Sequence, residues 1–444
     1  MEKEQISCRE AAVGLLDFIS KSPSPFHVTA NIEKYLKEDG YEFLPESRRW
    51  HLQRGGKYYV MRNGSSIAAF QIPQNLKELQ GFQMICSHTD SPSFKIKESF
   101  EIKGDSYYRK LNVEKYGGMI CSSWLDRPLS AAGRIMVCQD GKIVSKLVNL
   151  DRDLLVIPNL AIHMNREINE GVRYQVQQDL CPVLGASGQG EGFLKILAEA
   201  ANVEEDEILG TDLYLYNRQP GTFWGQEEEF IASPRLDDLQ CVYGTLMGFL
   251  KSLPTGNVSV FAAFNNEETG SISRQGAAST FLKDLLKRIN QGLGGDEEDY
   301  IKAAASSFMI SADNAHAVHP NHPEKADPVN RPVMNGGIVI KYQAEQKYTT
   351  DARSGAVLKL LCKKAGIPWQ IYTNHSNQPG GSTLGNLSNL QVSQCSADIG
   401  LAQLAMHSAY EMAGAKDVYY LQRLAEMFFS TVLEVKEDES VLLA

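Results

Sequence analysis

The chain has no Cys-x-x-Cys pair, no long apolar run, no internal repeat or low-complexity tract, and no basic excess. Each absence closes off a class of reading. The eight cysteines are scattered, and several (Cys86, Cys241, Cys362) sit inside apolar runs. They read as buried free thiols of a reducing cytoplasm. No stretch of eighteen or more apolar residues occurs, and the N-terminus Met1-Glu2-Lys3-Glu4-Gln5 is strongly charged. Both facts argue against a membrane span and a secretory signal, so no membrane partner is expected. Basic residues number 44 against 54 acidic ones, a net charge of −10, which argues against nucleic acid as the main partner.

What is present is 444 residues, 43% of them hydrophobic, with a mean hydropathy of −0.28. That length exceeds one ordinary domain, so two are expected. Residues 5–45 read as two helices around the Ser22–Pro25 turn and the approach to a first strand. Residues 56–90 alternate strands, and from about 95 to 230 short β-like runs such as 143–148 are broken by Gly, Asp and Asn. An acidic helix-like patch lies near 190–208. From Asp237 onward, helices alternate with short apolar strands at 239–253, 258–264, 307–313, 336–342, 355–365 and 368–373. This alternation predicts an α/β sheet covered on both faces. The glycine-rich acidic segment 290–303 reads as an exposed loop leading to a helix.

Chemistry-bearing residues collect at or just beyond the ends of apolar runs. The run Gln83-Met84-Ile85-Cys86-Ser87 ends in His88, with Asp90 two residues on. A neutral imidazole gives one nitrogen to a metal and needs a partner for the other, and Asp90 is the candidate. Asp237 and Asp238 open a helix-like stretch. Glu267-Glu268 follow the strand pattern 258–264, Asp313 follows Phe308-Met309-Ile310-Ser311-Ala312, and His407 stands in Met406-His407-Ser408-Ala409-Tyr410-Glu411. In α/β sheets this edge is where ligands gather. His88, Asp237, Glu268, Asp313 and His407 suffice for two divalent ions if one carboxylate bridges them. Mixed imidazole and carboxylate ligands suit zinc, manganese or cobalt, and paired metals activate water and polarise a carbonyl. Glu267 is then free to act as general base; the plainer reading of Glu267-Glu268 is an acid pair at a helix start. Since His88 precedes the β-rich block and the other four follow it, the block must be an insertion.

These motifs, in order, resemble the aspartyl aminopeptidases and the related yeast vacuolar aminopeptidase, dinuclear zinc exopeptidases. The resemblance runs from Phe18-Ile19-Ser20-Lys21-Ser22-Pro23-Ser24-Pro25-Phe26-His27 through His88-Thr89-Asp90-Ser91-Pro92, Trp124-Leu125-Asp126-Arg127-Pro128-Leu129 and Ile157-Pro158-Asn159-Leu160-Ala161-Ile162-His163. It continues with Pro234-Arg235-Leu236-Asp237, Asn266-Glu267-Glu268-Thr269-Gly270-Ser271, the run 311–321 and Met406-His407-Ser408. It implies a three-layer α/β/α zinc-exopeptidase domain (1–94 and 231–444) carrying an inserted β-rich dimerisation domain (95–230). It also implies one zinc on His88, Asp237 and Asp313, a second on Asp237, Glu268 and His407, and Glu267 as base. His316, Lys341 and Tyr348 resemble substrate-holding residues, and His163 resembles a histidine that one subunit lends to its neighbour. Dimers assembling into a tetrahedral dodecamer follow from the same likeness, as does a cis peptide at Asp237–Asp238. Asp238 stands where relatives often have Asn, and Thr269 where they often have Val; neither is expected to touch a ligand.

The expected activity is removal of N-terminal residues from peptides, with acidic ones preferred. A neutral-residue aminopeptidase or a same-fold small-amide deacylase is the alternative, and a shell protein without chemistry is a third. Three other features take plainer readings. Pro320 and Pro323 break any helix that would align His316, His319 and His322 as a metal ladder. His27 reads as structural. Asp126-Arg127 reads as an ion pair at a strand end.

Overall fold

In the computed structural model, residues 2–102, 107–436, 438 and 440–444 are described. The chain builds a nine-stranded sheet, a six-stranded sheet, a five-stranded sheet and a small terminal hairpin. The centre of the large sheet is made by Phe82–His88, Val258–Phe264, Phe308–Ala312 and Cys395–Gly400. Phe82–His88 lies between Val258–Phe264 and Phe308–Ala312, parallel to both, and Phe308–Ala312 is parallel to Cys395–Gly400. All four therefore end at one edge.

Their residues alternate between two cores, which is why the strands read as unbroken apolar runs. Ile85, Phe261, Ala263 and Ile310 face a core shared with the helices Glu2–Ser20, Pro25–Glu38, Leu236–Lys251, Ala352–Ala365 and Asp417–Ser430. Met84, Cys86, Val260, Ala262 and Met309 face another, shared with Phe281–Gly292 and Glu297–Ala305. The result is an α/β fold of three layers, as the alternation predicts. Ile310 and Phe261 are wholly buried, and truncating such a residue to Ala costs about 2–5 kcal/mol.

The six-stranded sheet runs Lys142–Asn149, Leu129–Gln139, Ile208–Asn217, Ser93–Ile102, Tyr108–Tyr116, Val183–Ala186. It has its own core around Phe94, Leu111, Trp124, Leu129, Phe193 and Leu213. Thr222–Trp224 and Phe230–Ser233 do not join this sheet. Thr222–Trp224 pairs with Phe230–Ser233, which pairs in turn with Glu411–Gly414 in the five-stranded sheet, bridging the two blocks.

Two readings of the sequence need correction. The helix Phe281–Gly292 runs into the segment read as a loop at 290–303, and Asn290 is buried, donating from Nδ2 to the Asp296 carbonyl (2.7 Å). Only 293–296 connect it to Glu297–Ala305, which Asp296 caps by accepting from the Asp299 backbone N–H. The glycines that suggested a loop end one helix before the acids start the next. Asp126 and Arg127 do not pair: Asp126 accepts from the backbone and side-chain nitrogens of Asn159, while Arg127 donates to the Ser123 carbonyl and to Gln219. His27 accepts or donates at Nδ1 with Ser24 Oγ (2.8 Å), a local turn contact.

Candidate metal centre and its pocket

His88 is the last residue of Phe82–His88 and stands opposite Phe264 on the neighbouring strand. Beyond Phe264, Asn266 adopts a left-handed conformation (φ 65°) and turns the chain into the single turn Glu267–Thr269. Asp313 follows Phe308–Ala312 directly, its N–H donating to the Ile399 carbonyl (3.1 Å). Gly400 makes this possible: a Cβ there would sit 2.2 Å from the Asp313 carbonyl oxygen. Asp237 and Asp238 have non-helical torsions ahead of the regular part of their helix, and the peptide between them is cis. His407 (φ 66°) comes from the loop between Ala402–Leu404 and Glu411–Gly414.

These five side chains meet. The His88 imidazole directs Nε2 to Asp237 Oδ1 (3.5 Å) and Asp313 Oδ1 (3.8 Å). From the other side, His407 Nε2 lies 3.5 Å from Asp237 Oδ2 and 3.4 Å from Glu268 Oε2. Asp237 thus faces one imidazole with each oxygen. Donor atoms of His88, Asp237, Asp238 and Asp313 lie within 4.8 Å of one another, as do those of Asp237, Glu268 and His407, and those of His88, Glu267 and Glu268.

The donor set fits cations. Asp237 Oδ1, Asp238 Oδ1 and Glu268 Oε1 are buried carboxylate oxygens with no hydrogen-bond donor. Leaving such a group unsatisfied costs about 1–3 kcal/mol or more. Protons compensate in part. Burial, reinforced by Asp237, holds the Glu268 carboxyl well above the usual range, and burial with nearby Asp313, Asp90 and Asp237 lifts Glu267 to about 8. For His407 burial pulls downward, but contact with Asp237 outweighs it and raises the ring to about 9. Divalent ions displace such protons and satisfy the oxygens together.

The supports differ from the expectation in instructive ways. His88 Nδ1 donates to the Asp90 backbone carbonyl (3.0 Å), with the Asp90 carboxylate slightly farther at 3.5 Å. That carboxylate instead accepts from the backbone N–H groups of Glu267 and Glu268 (3.1 Å each) and from the Tyr116 hydroxyl (2.6 Å). Asp90 therefore fixes the Glu267-Glu268 turn as well as the histidine. Asp238, expected to touch no ligand, accepts from the His88 backbone N–H through Oδ2 (3.2 Å) and belongs to the cluster.

Glu411 carried no role in the sequence reading. Its carboxylate accepts from the backbone N–H of Asp237 (3.0 Å) and of His407 (2.7 Å). Burial, with Asp237 adding to it, lifts its carboxyl to about 8. Its only signal was an acid four residues after His407. Tyr116 and the Gly118 carbonyl, which accepts from His407 Nδ1, come from the β-rich block and carried no signal at all.

A cavity of 210 Å³ opens onto the cluster, lined among others by Glu267, His316, Lys341, Tyr348, Tyr372 and Thr383. Gly381 and Ser382 line it too, so the turn Gly380-Gly381-Ser382-Thr383 contributes to the pocket wall. Lys341 is only 2% exposed. Its ammonium donates to the carbonyls of Asp313 (2.8 Å) and Asn314 (3.3 Å) and lies 3.7 Å from Asp313 Oδ2. His163 sits on an exposed turn and is not part of this wall. His319 and His322 stack at 5.2 Å but join no cluster of metal-capable groups among the described residues.

The family model for aminopeptidase I zinc metalloprotease (M18) matches residues 18–429. A probable M18 family aminopeptidase 2 of Clostridium novyi is 43% identical over 422 residues, covering 94% of this chain and 98% of that protein. Among solved structures, one of an Ape4 and Nbr1 complex is similar at TM-score 0.92 and 35% identity, covering 95% of this chain and 86% of that one. The S. cerevisiae mApe1 dodecamer is similar at TM-score 0.84 and 27% identity, with 97% of each chain covered.

Proposed function

Because the chain belongs to the M18 family of zinc metallo-aminopeptidases, we propose that it works with two metal ions and prefers acidic N-terminal residues. The observation that carries the dinuclear reading is Asp237, whose two oxygens each face a different imidazole at 3.5 Å. His88, Asp237 and Asp313 would hold one ion, and Asp237, Glu268 and His407 the other. Zinc is the expected metal, with manganese or cobalt also matched to these donors. When bound, the ions supply Lewis acidity toward water and the scissile carbonyl.

The chain's own residues account for the rest. Glu267, on the pocket wall, takes a proton from the attacking water and passes it to the leaving amine. The hydrogen bond that its backbone N–H donates to the Asp90 carboxylate keeps it oriented. His316, which lines the same pocket, holds the scissile carbonyl oxygen. Lys341 donates to two backbone carbonyls and lies 3.7 Å from Asp313 Oδ2, beyond hydrogen-bond length, so its third donor can turn to a substrate carboxylate. Tyr348, 6% exposed, lines the same pocket with its ring 5.1 Å from that ammonium. The same commitments of Lys341 favour the second reading, a preference for neutral N-terminal residues.

Assembly belongs to the same proposal. The turn carrying His163 also exposes Leu160 (53%), Ile162 (47%) and Met164 (70%), an apolar stretch suited to a subunit contact. The block 95–230 would pair subunits, His163 would enter the neighbour's site, and dimers would build a dodecamer like that of the yeast relative. A cytoplasmic location is supported by all eight cysteines being free. No helix among the described residues is long and apolar enough to cross a membrane. The deciding test is metal content per chain, together with a panel of aminoacyl chromogenic amides assayed with zinc, manganese or cobalt. Two ions per chain and faster turnover of Asp and Glu amides than of Leu are expected. One ion removes the dinuclear reading, and a faster Leu amide removes the acidic one.

A further inference from the structure

A second cavity of 460 Å³ adjoins the metal pocket, sharing His316, Tyr372 and Met406 as a common wall. Its remaining lining includes His319, His322, Lys325 and His375, together with Asn330, Asn374, Gln378 and Gln403, and no Asp or Glu. In a chain with ten more acidic than basic residues, a substrate-side cavity walled without carboxylates is a departure from the composition.

The polarity of two of its histidines is set by the backbone. His319 Nδ1 accepts from the Asn321 N–H and His375 Nδ1 from the Asn377 N–H, each at 3.2 Å. A ring accepting at Nδ1 carries its proton on Nε2, so both are held as Nε2 donors even when neutral. Among the described residues, no hydrogen bond or ion pair takes up the Lys325 ammonium. The neighbouring acids Glu324 and Asp327 attract Lys325 and His375 from outside the lining, with Glu324 paired to His322 (3.3 Å) and Asp327 accepting from the backbone N–H groups of Val329 and Asn330.

We propose that this cavity receives the residues following the scissile bond and selects an acidic side chain there, a specificity separate from that for the N-terminal residue. The inference rests on the aminopeptidase reading. The first residue fills the 210 Å³ pocket against Lys341 and Tyr348, and the chain beyond the bond then passes His316 into the adjoining space. There an Asp or Glu side chain meets donors and one cation, and a Lys side chain meets like charge.

The test uses the full-length, metal-loaded enzyme and tripeptides with one fixed N-terminal residue. Their second residue is Asp, Ala or Lys, and cleavage is followed by release of the first residue. The order Asp, Ala, Lys in kcat/KM is expected, with Asp about fivefold above Ala, carried by KM and shrinking as salt rises. Lys325→Gln and His375→Gln should each lower the Asp/Ala ratio, and the double variant should bring it close to one. Wild-type turnover of a chromogenic aminoacyl amide, which has no residue beyond the bond, monitors the underlying activity. No turnover there overturns the aminopeptidase reading itself. Turnover there with equal rates on the three tripeptides, or an Asp/Ala ratio unmoved in both single variants, overturns the proposed subsite alone.

Discussion

The two halves of the metal cluster are built differently. His88 ends a central strand and is 1% exposed; its ring is held by Asp90, just past that strand, and its backbone by Asp238, at the start of the helix Leu236–Lys251. His407 stands on a loop with its side chain 33% exposed. It is held by a carbonyl of the other block, Gly118, and returns the contact by accepting from the Ile120 N–H (3.0 Å). At Gly117 (φ 77°) that loop runs so close to Glu268 that a Cβ would lie 3.0 Å from its Cβ. One half is a product of sheet register; the other needs two blocks to stay docked. The difference teaches that the site's weaker side lies where the inserted block meets the catalytic sheet.

The largest effect should come from separating base from ligand within that weaker side. Glu267→Gln keeps shape and removes basicity, so kcat should fall about a hundredfold or more while metal analysis still finds both ions. Glu268→Gln, which faces His407, should lose one ion. Identical metal content in the two variants breaks the assignment.

A smaller effect should follow from loosening the support of His407. Glu411 accepts from the N–H groups of both Asp237 and His407. Losing such a partner typically costs about 10–100-fold in metal affinity. Glu411→Gln should therefore release one ion at lower chelator concentration than wild type, with the ion of the His88 half retained. Simultaneous loss of both ions in a chelator titration would erase the distinction between the halves.

His88, Glu267, Glu268 and Asp313 were legible in the sequence because each ends or follows an apolar run, and parallel strands deliver those ends to one edge, whereas Asp237 opens a helix and His407 sits on a loop. What the sequence concealed were contacts across long separations. Tyr116 lies 26 residues from Asp90, Asp238 lies 150 from His88, and Gly118 lies 289 from His407. No periodicity encodes such pairings; they follow from how blocks dock. The hairpin 222–233 was hidden for the same reason, since its partner strand Glu411–Gly414 lies near the other end of the chain. The donors around His375 and Lys325 were equally mute, because only the fold brings 316–332 beside 372–379.

Removing metal should expose the electrostatics of both halves together. Without cations, Glu267 and Glu411 titrate near 8 and His407 near 9, all above their unfolded-chain values. A raised folded value means the native state holds more protons. That contribution is whole below the unfolded value and is lost as pH climbs to the folded one. The Tm of metal-stripped protein should therefore fall between pH 5 and 9, on the order of the window set by these groups, and added zinc should flatten the fall. A metal-free Tm that rises over this range would contradict the cluster's charge balance.

The smallest effect should come from Asp238→Asn, and it separates register from charge. Asp238 Oδ2 accepts from the His88 N–H, a contact that an amide oxygen reproduces. His88 should therefore stay in place, with metal content unchanged and kcat/KM within about threefold of wild type. The charge is another matter. Burial, with Asp313 and Asp237 adding to it, holds the Asp238 carboxyl well above the usual range against the pull of His88. Its contribution to metal-free stability is complete below about 4, the unfolded value, and drains away as pH rises from there. Asn removes that contribution at every pH, so the metal-free Tm of the variant should decline less steeply with pH than wild type. The metal-loaded proteins should show matching profiles. A variant that loses the ion held by His88 would mean that the carboxylate binds metal directly and that the His88 half rests on four protein ligands rather than three.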